Sequence, residues 1–242
     1  MPKRPVVHYS RYSIVTKADE SAGAPEPTRR AYRSPHRKEQ ARATRQAILD
    51  AARRLFVTQG YGATSREQVA RAAGVAAQTV AAVVGTKRAM LEAILDDATR
   101  NHGEPLPLAL RSWLQDLREQ PSSTELLRHH ARSSSRVSAR TAGVMEAVRR
   151  GAAADAGIAE LWADLQRQRR RAQSTVVELL LQRDPPLQPG LTPAEAADVL
   201  WALTDDALHH GLVDERGWPP ERFEAWLGDA MCRLLLAGGQ VG

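Results

Sequence analysis

Wherever the chain is patterned, its apolar side chains recur at helical rather than strand spacing. Over residues 36–59, Ile48, Ala52, Leu55 and Phe56 share one helical face, Arg42, Arg45, Arg53 and Arg54 take other positions, and Gly60 stops the helix. Thr64 and Glu67 have the spacing of a capping box, which predicts a second helix opening at Thr64 and burying Val69, Ala70 and Ala73. Gly74 breaks that helix where a helix-turn-helix needs its tight turn, and Val75 follows as the apolar plug of the corner. A third helix over 76–84 ends at Gly85. Thr86 caps a fourth, whose stripe is Met90, Leu91, Ile94, Leu95 and Ala98.

Gly103, Pro105 and Pro107 separate this unit from the remainder, which is again helical. The pattern predicts helices over 106–120, from the Ser122–Glu125 capping box to about 135, over 139–153, and over 156–183 until Pro185 and Pro186. Thr192, Pro193 and Glu195 open a helix reaching about 210, with Ala196, Val199, Leu200 and Leu203 on one face. Pro219 and Pro220 start the last, whose Phe223, Trp226, Leu227, Ala230, Met231, Leu234 and Leu235 hold helical spacing for over three turns. No segment alternates like a strand and no long repeat occurs. The expectation is an all-α chain. It has a tail at 1–35 that is disordered by composition, a helix-turn-helix unit at 36–85, a connecting helix at 86–102 and a helical domain at 103–242.

Charge adds a polarity to this layout. Residues 1–40 hold nine Lys/Arg against four Asp/Glu, residues 41–102 nine against five, and residues 103–242 sixteen against nineteen. A basic front and a mildly acidic back point to a polyanion met by the first hundred residues. Thirty of the thirty-four basic residues are Arg, which GC-rich coding would also give, but coding does not explain the segregation. Overall, 43% hydrophobic and 26% charged residues are ordinary for a globular protein, and no run of about 18 apolar residues offers a membrane span. The single cysteine, Cys232, excludes an intrachain disulfide and a cysteine zinc cage, and no apolar leader follows Lys3 and Arg4, so a cytoplasmic protein is expected.

The order Ile48-Leu49-Asp50-Ala51-Ala52, Leu55-Phe56, Gly60-Tyr61, Thr64-Ser65, Val69-Ala70, Ala73-Gly74-Val75, Thr79-Val80, Gly85, Thr86-Lys87 and Leu91 resembles the DNA-binding domain of the TetR family of transcriptional regulators. Residues 196–203, 214–218 and Trp226-Leu227 look like the ending of many members, while 103–190 is similar only in being helical. The resemblance implies a recognition helix at 76–84 lying in the major groove. On it Ala76, Gln78 and Thr79 would face DNA, Gln78 being able to pair with adenine and Thr79 to touch a thymine methyl or a phosphate. Thr64, Ser65 and Arg66 would hold one phosphate at a helix start, and Lys87 and Arg88 another. Ordinary exposed helix faces and simple capping are the plainer readings of these residues. The family commonly has aromatics where Ala81 and Val84 stand, the first donating to a DNA phosphate; neither is present here. The basic tail, through Arg29, Arg30, Arg33, Arg37 and Lys38, offers a compensating minor-groove arm.

The resemblance further implies a homodimer joined through the last two helices, with Val199, Leu203, Phe223, Trp226, Met231 and Leu234 as candidate interface residues, unless that stripe is only intramolecular core. It also implies an unknown small-molecule effector between the helices, for which Trp113, Trp162, Trp201 and His209 are candidates. Arg167 and Arg169 to Arg171 read most simply as a solvated face. His129-His130 and His209-His210 point apart on a helix and make no metal site, and no cofactor is expected. No P-loop, H-E-x-x-H or G-x-S-x-G motif occurs, which leaves an enzyme without a recognisable centre. The expected function is a ligand-responsive repressor binding a palindromic operator. The alternative is a helical dimeric interaction protein that keeps the fold with weak or lost sequence reading.

Overall fold

A computed structural model of the chain describes residues 35–99 and 106–238. The expectations for the tail at 1–34 and for the break at 100–105 lie outside them. Four helices make the N-terminal head: α1 (Pro35–Ala63), α2 (Arg66–Ala72), α3 (Ala77–Val83) and α4 (Lys87–Thr99). The body follows with α5 (Leu106–Arg118), α6 (Ser123–Ala152), α7 (Ala156–Leu180), α8 (Pro193–Leu203), α9 (Asp206–His209), a π-helical segment (His210–Glu215) and α10 (Pro220–Leu235). Among the described residues the sole β feature is an isolated antiparallel bridge between Leu187 and Leu236.

Helix ends show why the sequence folds in these lengths. α1 is kinked at Gly60. The second helix opens one residue later than its sequence suggests. Ser65, not Thr64, is the cap: its Oγ accepts from the Gln68 N–H at 3.2 Å, and Gln68 Oε1 accepts from the Ser65 N–H at 2.7 Å. Thr64 is instead buried, 1% exposed, and its hydroxyl donates to the Gly60 carbonyl at 2.9 Å. Thr86 accepts from the Ala89 N–H at 3.1 Å at the start of α4, and Thr192 and Glu195 close a reciprocal capping box on α8.

Two boundaries differ from expectation for packing reasons. The helices expected to end near 135 and to begin at 139 are one helix of 30 residues, α6. Ser135 and Ser138, at the expected gap, are buried, and such small side chains allow α9 to cross close against it. The helix expected to run to 210 stops at Leu203. Asp205 then caps the short α9, its carboxylate accepting from the Ala207 N–H at 2.9 Å, and the chain widens into the π-helical segment.

The head does not close its core alone. Ile48, Ala52, Phe56, Val69, Val80, Met90, Leu91 and Ile94 share one buried cluster with Val144, Met145 and Val148 of α6 and Ile158 and Leu161 of α7. A second cluster joins α5, the front of α6, the back of α7, α8 and α10 around Leu126, Leu180, Leu200, Phe223, Leu227 and Met231. With a buried aliphatic or aromatic side chain contributing about 1.5–3 kcal/mol, the first cluster ties head to body strongly.

Candidate nucleic-acid interface and adjoining cavity

The turn between α2 and α3 depends on Gly74, whose φ of +68° is a conformation that side chains disfavour. The Val75 N–H then donates to the Ala70 carbonyl at 3.0 Å and Val75 tucks against the head core. α3 leaves this corner with one fully buried side chain, Val80, and with Val83 and Val84 packed inward. Ala76, Ala77, Gln78, Ala81 and Ala82 are exposed and Thr79 is half-buried. The outward surface is thus an alanine rod bearing one long polar chain, Gln78. From α1, Arg45 Nη1 donates to the Val83 carbonyl at 3.3 Å and places a cation at the carboxyl end of α3.

The residues expected to grip phosphate are dispersed. Arg66 is exposed at the start of α2, and Ser65 is half-buried in its capping box. Thr64 is corrected, because its hydroxyl is buried and already donates within the chain. Lys87 Nζ donates to the Tyr61 carbonyl at 2.7 Å and lies 4.2 Å from the centre of the Tyr61 ring; burial lowers its pKa. Arg88 is turned toward the body, where it pairs with Glu92 at 3.0 Å and Glu160 at 3.4 Å and donates to the Gly157 carbonyl at 3.0 Å. Its charge braces α4 against α7, so the phosphate role is corrected here also. Burial raises the Tyr61 pKa, and the Asp155 charge adds to that rise.

Further ties join head to body. Arg53 Nη2 donates to the Arg140 carbonyl at 2.7 Å, and Arg140 Nε to the Ala98 carbonyl at 2.7 Å. Gly143 meets Val57 and Gly151 meets Tyr61, where an added Cβ would come within 3.2 Å of either side chain. Sequence periodicity does not reveal these links, because their partners are distant backbone carbonyls.

Beside this junction lies a cavity of about 300 Å³ between α6, α7, α9 and the π-helical segment. Met145, Trp162, Arg169, Asp206, His210 and Glu215 are among its lining residues. Of the four expected effector residues only Trp162 lines it. Trp113 packs on His130 at a ring separation of 6.0 Å. Trp201 faces Arg169 at 5.4 Å, and that guanidinium also donates to the Trp201 carbonyl at 2.9 Å. His209 is buried edge-on against Phe223 at 5.2 Å. Burial lowers the pKa of His209 and, more strongly, that of His130, which falls to about 4 although Gln173 lies 2.8 Å from its Nε2. Arg169, read from sequence as solvated, is only 18% exposed and pairs with Asp205 at 2.9 Å.

The expected interface stripe divides. Phe223 and Met231 are 2% and 0% exposed and belong to the core of their own chain, which corrects their assignment to a dimer surface. Val199, Leu203 and Trp226 are half-buried against the same core, and Leu234 is 52% exposed. Among the described residues no group of His, Cys, Asp and Glu can hold a metal, and no helix is long and apolar enough to cross a membrane.

Residues 48–94 match the family model of the bacterial regulatory proteins of the tetR family. The structure of native NalD, the secondary repressor of the MexAB-OprM multidrug efflux pump in Pseudomonas aeruginosa, is 26% identical; the similarity covers 82% of this chain and 99% of that one with a TM-score of 0.53. The SmeT–triclosan complex is 22% identical over 82% of this chain and 95% of its own, with a TM-score of 0.62. FadR from Bacillus subtilis with stearoyl-CoA is 14% identical, covering 77% and 96%, with a TM-score of 0.59. No curated protein sequence matches the chain.

Proposed function

We propose that the chain, whose residues 48–94 match the model of the tetR family of bacterial regulatory proteins, acts as a homodimeric, ligand-responsive repressor of transcription. The observation that carries this reading is the outward presentation of α3, with Gln78 exposed and only Val80 fully buried. A rod of this width fits the major groove, and two copies about 34 Å apart would read successive turns. Gln78 and Thr79 read base edges, Arg66 and the ammonium of Lys87 hold phosphates, and Ala76 lets the backbone approach closely. The half-buried and exposed apolar residues of α8 and α10, Val199, Leu203, Trp226 and Leu234, form the seam with the second copy. Repression is supported by the likeness to NalD, itself a repressor.

Ligand response rests on the shared core. Met145 belongs both to the cavity wall and to the buried cluster under the head. A ligand that shifts the ends of α6 and α7 therefore biases the spacing of the two heads and weakens operator binding. The same fold accompanies triclosan in SmeT and stearoyl-CoA in FadR.

Fluorescence anisotropy of the full chain on its own upstream DNA, read across salt concentrations, tests the reading. Affinity should fall by about 0.9 log unit per phosphate neutralised for each log unit of salt. Equal affinity for unrelated DNA of the same length would favour the alternative of a dimer that has lost sequence reading, which the missing aromatics at Ala81 and Val84 would permit.

A further inference from the structure

We propose that the cavity between α6, α7, α9 and the π-helical segment binds a small organic cation, its ammonium on the Asp206 carboxylate and its apolar body against Trp162 and Met145. The inference deepens the ligand-responsive reading by naming the chemical class of the effector. It rests on how the charges in the wall are satisfied.

Three arginines line this cavity, and they share two carboxylates, Glu146 and Asp205. Arg149 and Arg150 both grip Glu146, at 2.7 Å and 2.6 Å, with their side chains 57% and 73% exposed, so they stand at the solvent side of the opening. Arg169 lies deeper and is turned onto Asp205 and the Trp201 carbonyl. Asp206 is different. Thr141 Oγ1 lies 3.1 Å from its Oδ1, sharing its one proton with the Val137 carbonyl at 2.9 Å, and Ser138 supplies a second hydroxyl, so that the two orient the carboxylate. Among the described residues no cation lies within ion-pair distance of it; the Arg169 charge acts on it only from farther away, while Arg169 Nη1 is paired with Asp205. Glu215 on the π-helical segment adds a second carboxylate to the wall, 3.6 Å from His210 Nε2.

An oriented, largely desolvated carboxylate with neutral donors and no cation in direct contact is costly for a fold to maintain. Burial accordingly holds the Asp206 carboxyl above its ordinary range. A ligand ammonium would supply the direct ion pair that Asp206 lacks, and Trp162 offers an aromatic face of the kind that attracts desolvated cations. The volume of about 300 Å³ admits a molecule with a single ring and a short amine arm. The wall also contains a π-helical turn, a geometry that recurs at functional sites because it widens the local helix and redirects side chains.

The test is calorimetric titration of the full chain without DNA, using three cations, benzyltrimethylammonium, phenethylamine and choline. The uncharged isostere neopentylbenzene and the anion phenylacetate serve as comparisons. At least one cation should bind with quenching of Trp fluorescence, and at least tenfold more tightly than either comparison probe. Asp206→Asn should weaken that cation at least tenfold while unfolding at a temperature no lower than the parent, since it removes a buried charge and keeps the shape. Trp162→Leu should weaken it and abolish the quenching. Binding of none of the three cations, preference for phenylacetate, or undiminished cation binding by a folded Asp206→Asn would each overturn the assignment. These readouts need no DNA, so they stand apart from failure of operator binding, which would instead remove the repressor reading.

Discussion

The Lys87 ammonium sits 4.2 Å from the centre of the Tyr61 ring and donates to the Tyr61 carbonyl at 2.7 Å, pinning the first residue of α4 to the kinked end of α1. Lysine at this position therefore braces the head as well as offering charge to a phosphate. Lys87→Ala should destabilise the protein by about 1–2 kcal/mol in urea unfolding, combining a partly exposed cation–π contact with a charged hydrogen bond. DNA binding should weaken uniformly across sequences. An unchanged unfolding midpoint would show that the brace contributes nothing.

Ser65 and Thr64 are neighbours with separate duties. Ser65→Ala removes the capping box of α2 and should cost about 1 kcal/mol. Thr64→Val keeps the shape but leaves the Gly60 carbonyl without its hydroxyl donor, and should also cost about 1 kcal/mol. Once fully folded protein is compared, DNA affinity of Thr64→Val should equal that of the parent. A selective loss of affinity would return Thr64 to the interface.

Ala81 is exposed on the outer face of α3, and in the family an aromatic commonly donates from this place to a phosphate. Ala81→Tyr should raise operator affinity by roughly fivefold, the worth of about 1 kcal/mol for one added hydrogen bond. No gain, with the variant folded, would mean that Ala81 does not approach the backbone of bound DNA.

His130 is buried with its pKa lowered to about 4 by desolvation. Its neutral form is the one the fold accepts. The unfolded chain takes up a proton below about pH 6.5 and the native chain does not until about pH 4, so stability is full above that range and falls as pH drops through it. The loss is on the order of 3 kcal/mol by pH 4. In His130→Gln, which retains a donor for Gln173, the decline between those pH values should be smaller by a similar amount. Parallel curves for the two proteins would contradict this.

Leu234 is exposed on α10 whereas Met231, one turn earlier, is fully buried. Leu234→Glu should leave the fold intact and shift sedimentation from dimer to monomer. Met231→Glu should unfold the body instead, because a charge without a partner would enter the second core. A Leu234→Glu protein that remains a dimer at micromolar concentration would move the seam elsewhere.

Sequence made the head legible because its signals are local. Gly74, Val75, Gly85 and the Met90, Leu91, Ile94, Leu95 stripe each report a turn or a face within a few residues, and these positions take the roles read for them. The one-residue shift from Thr64 to Ser65 arose because two hydroxyl residues are adjacent and Glu67 and Gln68 both suit the third helical position. The remainder was harder. Whether Phe223 and Met231 face a partner or their own chain depends on which helices lie beside α10, and periodicity is the same in either case. Arg88 read as a phosphate contact and Arg169 as solvated charge because their acceptors, Gly157 and Trp201, are backbone carbonyls far along the chain. The cavity was invisible for the same reason, apart from Trp162, because its wall comes from four separate segments.

The most direct test of the account is selection of bound duplexes from random DNA with the full chain, repeated with Gln78→Ala. An enriched palindrome with half-sites centred about one helical turn apart, whose preference disappears in Gln78→Ala while the protein stays folded, is the predicted result. Enrichment of no sequence by the unaltered chain would contradict the reading of α3 as a recognition helix.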